Sequence, residues 1–231
     1  MIQMNQIRKT YTTGKVTFDA LKGIDCDIQS GEFMAIVGPS GSGKSTMMNI
    51  IGCLDIPTDG EYNLDGQKVN TLNANQLADI RNQRIGFVFQ AFNLLPYATA
   101  YENVEVPLLF AKATAKKRKE RVVELLERVG LGNKLANKPT EMSGGEMQRV
   151  AVARALANEP EIILADEPTG NLDTKSGSEI FALFRELHRA GKTIIIITHD
   201  LNLAKQTERI FRLKDGLVDT NGNGSSAPQP H

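Results

Sequence analysis

Gly-Pro-Ser-Gly-Ser-Gly-Lys-Ser-Thr, at residues 38–46, is the stretch of sequence that decides the fold. Its spacing allows successive backbone N–H groups to curl around phosphate oxygens, with glycine wherever a side chain would obstruct them. Phe33–Val37 before it is typical of a buried strand, and Lys44–Leu54 after it is typical of an apolar helix. Strand, loop and helix therefore predict a site for a nucleoside triphosphate.

The side chains of this loop have separate predicted tasks. Lys44 is expected to place a point charge beside the phosphates, and Ser45 to give its hydroxyl to magnesium. The predicted nucleotide-binding residues of the loop are Gly38, Ser40, Gly41, Ser42, Gly43, Lys44, Ser45 and Thr46. Tyr11, in a predicted early loop, is a candidate for stacking on adenine, since a flat ring supplies area without hydrogen-bond demands. A surface aromatic is the alternative interpretation of Tyr11.

Short apolar runs bounded by polar or turn residues indicate strands buried on both faces of a sheet. These runs are Phe33–Val37, Ile85–Phe89, Ile162–Ala165 and Thr193–Thr198. Helical segments such as Ser176–Ala190 separate several of them, so the sequence predicts an α/β fold with a parallel-sheet core. Asp65-Gly66 and Asp215-Gly216 are typical of hairpin turns, and the first, with the alternating opening segment, indicates a small antiparallel sheet.

The stretch from about Ala91 to Glu159 has a helical pattern, with a stop at Gly130 and a further helix after Ser143. We therefore predict one nucleotide-binding domain over residues 1–219. Residues 1–90 and 160–219 are expected to form a β subdomain and the core, and residues 91–159 a helical insertion subdomain. Thr220–His231 is rich in Asn, Gly, Ser and Pro and is predicted to be a disordered tail.

The composition narrows the range of partners. Lysine plus arginine equals aspartate plus glutamate at 27 each, so no overall field favours nucleic acid or anionic lipid. The basic run at 116–119 opens an amphipathic helix with interspersed glutamates, which is typical of a solvated face rather than a nucleic-acid site. Cys26 and Cys53 are expected to be small core residues. No apolar run reaches the roughly 18 residues that span a bilayer, so we expect any membrane role to require a partner.

An apolar strand ends in two carboxylates at Asp166 and Glu167. Asp166 is predicted to hold magnesium or its water, and Glu167 to polarise the attacking water. A strand that merely ends in an acidic turn is the alternative. The upstream phosphate loop favours the catalytic interpretation, because a bound triphosphate needs magnesium and hydrolysis needs an oriented water.

Ser143-Gly144-Gly145-Glu146 precedes a run of helical spacing. Ser-x-x-Glu is the pattern of a capping box, in which the serine and glutamate satisfy each other's backbone N–H groups. Capping does not require paired glycines, however, whereas a terminal phosphate approaching a helix N-terminus needs bare N–H groups. Both interpretations can hold together.

Two further polar residues follow predicted core strands. His199 comes directly after the run at 193–198 and is predicted to sense the γ-phosphate and to position Glu167. Gln90 ends the strand at 85–89 and is predicted to contact magnesium or water while starting the helical insertion, as a switch. A structural histidine and a buried or capping amide are the alternatives. His188, on a helix flank, is assigned a structural role.

In identity and order these motifs resemble those of the ATP-binding cassette (ABC) ATPases, from Ile2 to about Asp219. The matching segments are the loop at 38–46, Gln90, residues 142–146, the strand into Asp166-Glu167, residues 170–173 and His199. Within the family the chain is similar to the nucleotide-binding subunits of the macrolide-exporter and lipoprotein-release group, to which the cell-division ATPase also belongs. Two residues depart from the commonest signature: Met142 replaces leucine, a mild packing change, and Glu146 replaces glutamine.

The resemblance implies a RecA-like P-loop NTPase core that hydrolyses ATP with Mg²⁺ and relies on Glu167. It also implies a head-to-tail homodimer, in which each copy gives Ser143–Glu146 to the nucleotide held by the other, with Asp173 near the two-fold axis. The implied partners are a second copy of the chain, an integral membrane permease and a periplasmic adaptor, with no nucleic acid. The implied location is the cytoplasmic face of the inner membrane.

The resemblance leaves three functions open. An ATPase that energises export or lipoprotein extraction is the leading one. A regulator of cell-wall hydrolases acting through a membrane partner is the second, and a DNA-repair or chromosome ATPase is the third. The transported molecule is not predicted, because its contacts would lie on the permease.

Overall fold

The computed structural model describes residues 1–14 and 16–220. The strands are β1 (Ile2–Thr13), β2 (Val16–Ile28), β3 (Phe33–Val37), β4 (Asp59–Leu64), β5 (Gln67–Lys68), β6 (Ile85–Phe89), β7 (Ile162–Asp166), β8 (Thr193–Ile197), β9 (Arg209–Lys214) and β10 (Leu217–Val218). The α-helices are α1 (Lys44–Ile51), α2 (Ala74–Arg84), α3 (Ala100–Phe110), α4 (Ala115–Arg128), α5 (Gly144–Ala155), α6 (Thr174–Arg189) and α7 (Leu201–Ala204). Short 3₁₀ turns lie at Val69–Thr71 and Pro139–Glu141. The predicted tail beyond Thr220 lies outside the described residues.

The chain divides into two compact units. The first contains residues 1–78 together with the chain from residue 193 onward, and the second contains residues 79–192. Helix α2 runs across the division. The helical subdomain expected at 91–159 falls within the second unit, and its boundaries, like the assignment of 1–219 to a single domain, stay a prediction.

The first unit contains the predicted antiparallel sheet, with strand order β2-β1-β4-β5. Asp65 and Gly66 have φ values of 49° and 78°, the pair of positive angles that a tight hairpin turn requires. The prediction of a loop around Tyr11 was wrong, because β1 continues to Thr13. Pairing of Tyr11 with Phe18 on β2 extends the hairpin through this region.

The first unit also contains parallel strands, as the apolar runs predicted. Strand β3 pairs in parallel with β8 on one side and with β9 on the other. Every side chain of β3 and β8 is buried, which explains why both are continuous apolar runs rather than alternating ones. The turn at Asp215-Gly216 joins β9 to β10 as an antiparallel hairpin, as predicted.

Both cysteines lie buried in the first unit, as expected for core residues. Burial raises the pKa of the Cys26 thiol to about 12. Helix α1 is shorter than predicted, ending at Ile51 rather than Leu54. The chain turns there because Gly52 caps the helix and Cys53 takes a left-handed conformation with a φ of 54°. The apolar pattern continued past the helix because Gly52 and Cys53 of this turn are buried and Leu54 is apolar although exposed.

In the second unit, β6 pairs in parallel with β7, and helices surround this pair. Helix α5 packs against β6 and also contacts α3, α4 and α6. Helix α6 begins at Thr174 rather than at the predicted Ser176, because the Asp173 side chain caps it by accepting from the Ser176 N–H at 3.0 Å. These parallel pairs confirm the predicted α/β class.

Helix α4 confirms the prediction that the basic run forms a solvated face. Its buried side chains, Val122, Leu125 and Leu126, lie on the opposite side from most of the charges. The Arg118 guanidinium contacts the Glu105 carboxylate at 2.7 Å, and the Lys116 side chain is 86% exposed. Among the helices formed by residues 1–14 and 16–220, none combines the length and apolar character needed to cross a membrane.

Candidate functional site

The phosphate loop follows β3 in the first unit, and its glycines are required by close backbone packing. A Cβ atom on Gly38 would lie 2.2 Å from the Leu213 carbonyl oxygen, and one on Gly43 would lie 2.7 Å from that of Ala20. Gly43 also has a φ of 101°, which side chains rarely tolerate. Neighbouring strands thus hold the loop in place at residues that have no side chain.

The start of α1 has the properties of an anion site. Its N-cap residue is Gly43, which has no side chain to accept a hydrogen bond from the first N–H groups of the helix. The Lys44 ammonium donates to the carbonyl oxygens of Gly38 and Pro39, each at 2.8 Å, and is thereby held over the loop. The Ser45 side chain is exposed at the helix start. A triphosphate requires bare N–H groups and an ammonium, and its magnesium requires an oxygen ligand such as a hydroxyl. These residues therefore fit the predicted ligand.

The remaining residues of the phosphate loop differ in how exposed they are to solvent. Ser40 and Gly41 are exposed, whereas Gly38 and Thr46 are half-buried. Ser42 is buried, and its hydroxyl has no hydrogen-bond partner within the described part of the chain. Its role in nucleotide binding stays a prediction.

Tyr11 is more firmly oriented than a simple surface aromatic. Its hydroxyl donates to Asp55 Oδ2 at 3.0 Å, and the Lys9 ammonium lies 5.1 Å from the ring centroid. Lys9 also contacts Asp55 Oδ1 at 2.6 Å. Burial raises the pKa of Asp55, but the bonds from Lys9, the Ile56 N–H and Tyr11 outweigh it and hold that pKa below its usual range. This triad fixes one ring orientation, and adenine stacking stays a prediction.

His199 lies at the same end of the parallel strands as the phosphate loop. Strands β3 and β8 are parallel neighbours, with Ile36 opposite Ile197, so the residues that follow each strand emerge at one edge. The imidazole is exposed and lines a cavity of about 320 Å³ together with Gly38, Pro39 and Arg212. Asp200 caps the next helix, α7, which turns the chain directly after His199.

In the second unit, Gln90 and the two carboxylates emerge together. Strand β6 ends at Phe89, whose Cα pairs with that of Asp166 on β7, so Gln90 and Glu167 are the next residues on neighbouring parallel strands. Glu167 has a φ of 44°, an uncommon value for a residue with a side chain. The backbone turns sharply at Glu167, and strained conformations of this kind cluster at functional sites.

Gln90 is tied to the segment at 170–173. Its Nε2 donates to Asn171 Oδ1 at 3.2 Å, and Asn171 Nδ2 donates back to the Gln90 carbonyl oxygen at 3.0 Å. A Cβ atom on Gly170 would lie 2.8 Å from Gln90 Nε2, so glycine allows this approach. The sequence predicted Gln90 but not this amide pair, which no local pattern signals. Contact of Gln90 with magnesium stays a prediction.

Ser143–Glu146, the signature segment, forms the predicted capping box at the start of α5. Ser143 Oγ accepts from the Glu146 N–H at 3.3 Å, and Glu146 Oε2 accepts from the Ser143 N–H at 2.9 Å. Lys134 also donates to Glu146 Oε1 at 2.5 Å. These bonds, that of Lys134 first, hold the pKa of Glu146 below its usual range, so the carboxylate stays ionised.

The signature glycines have different neighbours. A Cβ atom on Gly145 would lie 2.8 Å from Ser176 Oγ, whereas one on Gly144 would meet nothing closer than 3.4 Å. Ser176 Oγ in turn donates to Asp173 Oδ2 at 2.6 Å, and this bond lowers the pKa of Asp173. The signature segment is therefore in contact with the cap of α6, which contains the predicted axial residue Asp173.

Gln148 is a candidate that the sequence interpretation missed. It is fully buried on α5, and its Nε2 donates to the Pro168 carbonyl oxygen at 2.7 Å and to that of Phe89 at 3.4 Å. These carbonyls adjoin Glu167 and Gln90, so one side chain joins the signature helix to both strand ends. A polar residue among the apolar positions of α5 was the available signal.

Comparisons with known proteins add independent support. The ABC transporter family model matches residues 21–170. An uncharacterised ABC transporter ATP-binding protein of Bacillus subtilis, YvrO, is 54% identical over 98% of this chain and 100% of its own length. The macrolide export ATP-binding/permease protein MacB of Brucella melitensis is 48% identical over 100% of this chain but only 37% of its own length.

A solved structure allows the fold to be compared directly. It is the dimeric post-hydrolysis state of the ATP-binding cassette MJ0796 bound to ADP and Pi, and it matches with a TM-score of 0.87 and 50% identity. The match covers 95% of this chain and 97% of that one. A curated protein of the same name comes from Methanocaldococcus jannaschii and is 52% identical over 95% of this chain. The likeness confirms the P-loop NTPase fold that the motifs implied.

Proposed function

The chain belongs to the ABC transporter family and is an ATP-hydrolysing subunit within it, and from this premise we propose that it energises export through a membrane permease. The observation that carries the ATP-driven part of this proposal is a pair of helix N-termini that are suited to binding phosphate. The start of α1 has no side-chain cap, and the signature segment at the start of α5 contains two glycines. A member of this family needs both helix N-termini, because each contacts the phosphates of an ATP molecule.

ATP binding belongs to the phosphate loop, with Lys44 beside the phosphates and the N–H groups at the start of α1 around them. Ser45, Asp166 and Gln90 would hold Mg²⁺, which neutralises charge on the terminal phosphates when bound. Glu167 accepts a proton from the attacking water. His199 contacts the γ-phosphate and positions the Glu167 carboxylate. Tyr11 stacks on the adenine. The open cap of α1 and the bent backbone at Glu167 support these roles.

A second copy of the chain completes each site. The related cassette MJ0796 has been solved as a dimer, and we propose a head-to-tail dimer here in which Ser143–Glu146 contacts ATP held by the other copy. Asp173 lies near the two-fold axis in this proposal. Its cap on α6 joins it through Ser176 to the signature segment, so residues at the axis and at the partner's phosphate belong to one local structure.

The permease contact is proposed for an apolar surface in the second unit. Four large apolar side chains between residues 95 and 110 are exposed, including Tyr97 at 89% and Phe110 at 75%. The other two are Leu95 and Leu109. One pair precedes α3 and the other ends it, so both ends of this helix present exposed apolar groups, and such groups mark interaction sites where they cluster. The name of MacB joins an ATP-binding part to a permease and to export, which supports a permease partner and an export role. The proposal also includes the cytoplasmic face of the inner membrane as the location and a periplasmic adaptor as a further partner.

The test is the substitution Glu167→Gln, which removes the proposed proton acceptor and retains shape. We expect turnover to fall by at least about 100-fold, and ATP to convert monomer into a stable dimer in analytical ultracentrifugation. The matched control is Glu161→Gln, at the other end of the same strand, where the carboxylate only contacts Arg84 at 2.8 Å. We expect it to hydrolyse ATP within about twofold of wild type, since exposed ion pairs contribute little. Wild-type turnover by Glu167→Gln would contradict the assignment.

A further inference from the structure

The signature segment contains a negative charge close to where the proposed function places a polyanion. Glu146 lies in the first turn of α5, three residues after Ser143 and next to Gly145. A triphosphate that contacts these residues would be repelled by an uncompensated carboxylate, since two negative charges close together repel each other. The position of the carboxylate and the charge around it therefore affect binding of the partner's ATP.

Both oxygens of this carboxylate are occupied within the protein. Oε2 accepts from the Ser143 N–H at 2.9 Å, which directs the side chain back toward the helix start. Oε1 accepts from the Lys134 ammonium at 2.5 Å, and the two side chains are only 31% and 27% exposed. A half-buried pair of this length is screened less by salt than a fully exposed one.

The backbone around Lys134 is itself fixed. The Lys134 N–H donates to the Leu131 carbonyl at 2.9 Å, and the Lys134 carbonyl accepts from the Asn137 N–H at 3.1 Å. The same turn is attached to α3, because the Ala100 N–H donates to the Asn137 carbonyl at 2.8 Å. The backbone that carries Lys134 is thus ordered, so only the side-chain rotamers of Lys134 must be fixed to hold the ammonium on Glu146.

We propose that Lys134 is a positioning residue for the signature segment: it cancels the charge of Glu146 and holds its carboxylate on the capping bond to Ser143, so that the segment accepts the partner's ATP. The proposal rests on the proposed function, in which Ser143–Glu146 contacts nucleotide held by a second copy. It adds that a basic residue outside the signature segment sets the affinity of this contact. Lys134 itself touches no phosphate.

The test is a double-mutant cycle in the Glu167→Gln background, with ATP as the ligand and dimer formation measured by analytical ultracentrifugation. At low salt we expect Lys134→Gln to raise the ATP concentration for half-maximal dimer about fivefold, the upper end of the range for one partly exposed charge pair. With Glu146→Gln also present, Lys134→Gln should change that concentration by less than about twofold, because no charge remains to be cancelled. Lys134→Arg should also stay within about twofold, since it keeps the charge.

Lys138→Gln is the matched control. Lys138 lies in the same connecting segment and is exposed, and its substitution removes the same charge without touching Glu146. We expect a change below about twofold, and we expect the Lys134→Gln effect to shrink toward twofold in about 1 M salt.

Three results would overturn the inference. They are no effect of Lys134→Gln, an equal effect with and without Glu146→Gln, and an equal effect of Lys138→Gln. An equal effect in both backgrounds would mean that Lys134 contacts the nucleotide directly or only supports the fold. Failure of the Glu167→Gln parent itself to form a dimer with ATP would instead count against the proposed function, so the two failures are distinguishable.

Discussion

The phosphate loop of the first unit and the signature segment of the second both end in a helix N-terminus, yet they are built in opposite ways. At α1 the cap residue is Gly43, and no side chain satisfies the first N–H groups. At α5 the Ser143 and Glu146 side chains satisfy the same kind of groups, and Lys134 neutralises the glutamate. The first N–H groups of α1 are left to a ligand, whereas the capping box of α5 forms without one.

The glycines of the two regions also differ in what packs against them. Gly38 and Gly43 allow the phosphate loop to pack directly on the backbone of neighbouring strands. Gly145 instead leaves room for a side chain, Ser176, which belongs to the cap of another helix. The phosphate loop therefore depends on its ligand for its last hydrogen bonds, whereas the capping box of the signature segment is formed before any docking.

The largest expected effect tests whether the phosphate loop depends on backbone packing. Gly38→Ala places a Cβ atom 2.2 Å from a backbone oxygen and should lower the free energy of unfolding by about 3 kcal/mol or more. Gly41→Ala is the matched control in the same loop. A Cβ there meets nothing within 4 Å, and only the φ of 78° costs stability, by about 1 kcal/mol. Urea unfolding without nucleotide measures both, and equal losses would contradict the packing argument.

An intermediate effect tests the signature glycines. Gly145→Ala must displace Ser176 and weaken its bond to Asp173, so we expect a loss of about 1–2 kcal/mol in the free energy of unfolding. Gly144→Ala makes only ordinary contacts, and alanine favours a helix, so we expect no loss or a gain of up to about 0.5 kcal/mol. Thermal unfolding followed by circular dichroism separates the two, and destabilisation by Gly144→Ala would show that the segment is strained.

The smallest effect concerns pH. Glu146 has a lowered pKa in the folded state, so its stabilising bonds are fully present above its ordinary pKa and are lost as pH falls through the lowered one. The free energies of unfolding of wild type and Glu146→Gln should therefore differ by a constant amount, about 0.5 kcal/mol, from pH 8 down to about pH 5. Below about pH 4.5 the difference should shrink. A difference that stays constant in urea titrations down to about pH 3.5 would contradict the role of its charge.

Much of the fold could be predicted because β3 and β8 are fully buried and β6 and β7 are largely so. The structure has Phe33–Val37 and Ile85–Phe89 at the residues predicted, since an apolar run bounded by polar neighbours has a clear start and end. Helix α2 was missed because only Ile80 among its side chains is buried, so it has almost no apolar stripe. Helix α3 contains Pro107, which obscures it, although the Thr99 and Glu102 capping box was an available signal.

The candidate site was predicted residue by residue but not contact by contact. Gln90, Glu167 and Ser143 could be proposed because they occupy ends of strands and helices, which local sequence indicates, and their roles stay predictions. The bonds that Gln90 makes with Asn171, and those between Lys134 and Glu146, join residues 81 and 12 positions apart. No periodicity predicts such pairs, since they depend on how loops pack after the strands and helices have formed.

The buried cysteines of the first unit offer a different use of the structure. Cys26 and Cys53 are the two cysteines of the sequence, and each is at most 5% exposed, so a thiol reagent can reach them only when their surroundings open. The high pKa of Cys26 further limits its reaction in the closed state. The labelling rates of the two native thiols would therefore report the rate at which this unit opens locally. A cysteine introduced on an exposed face of α4 would react well before either native thiol.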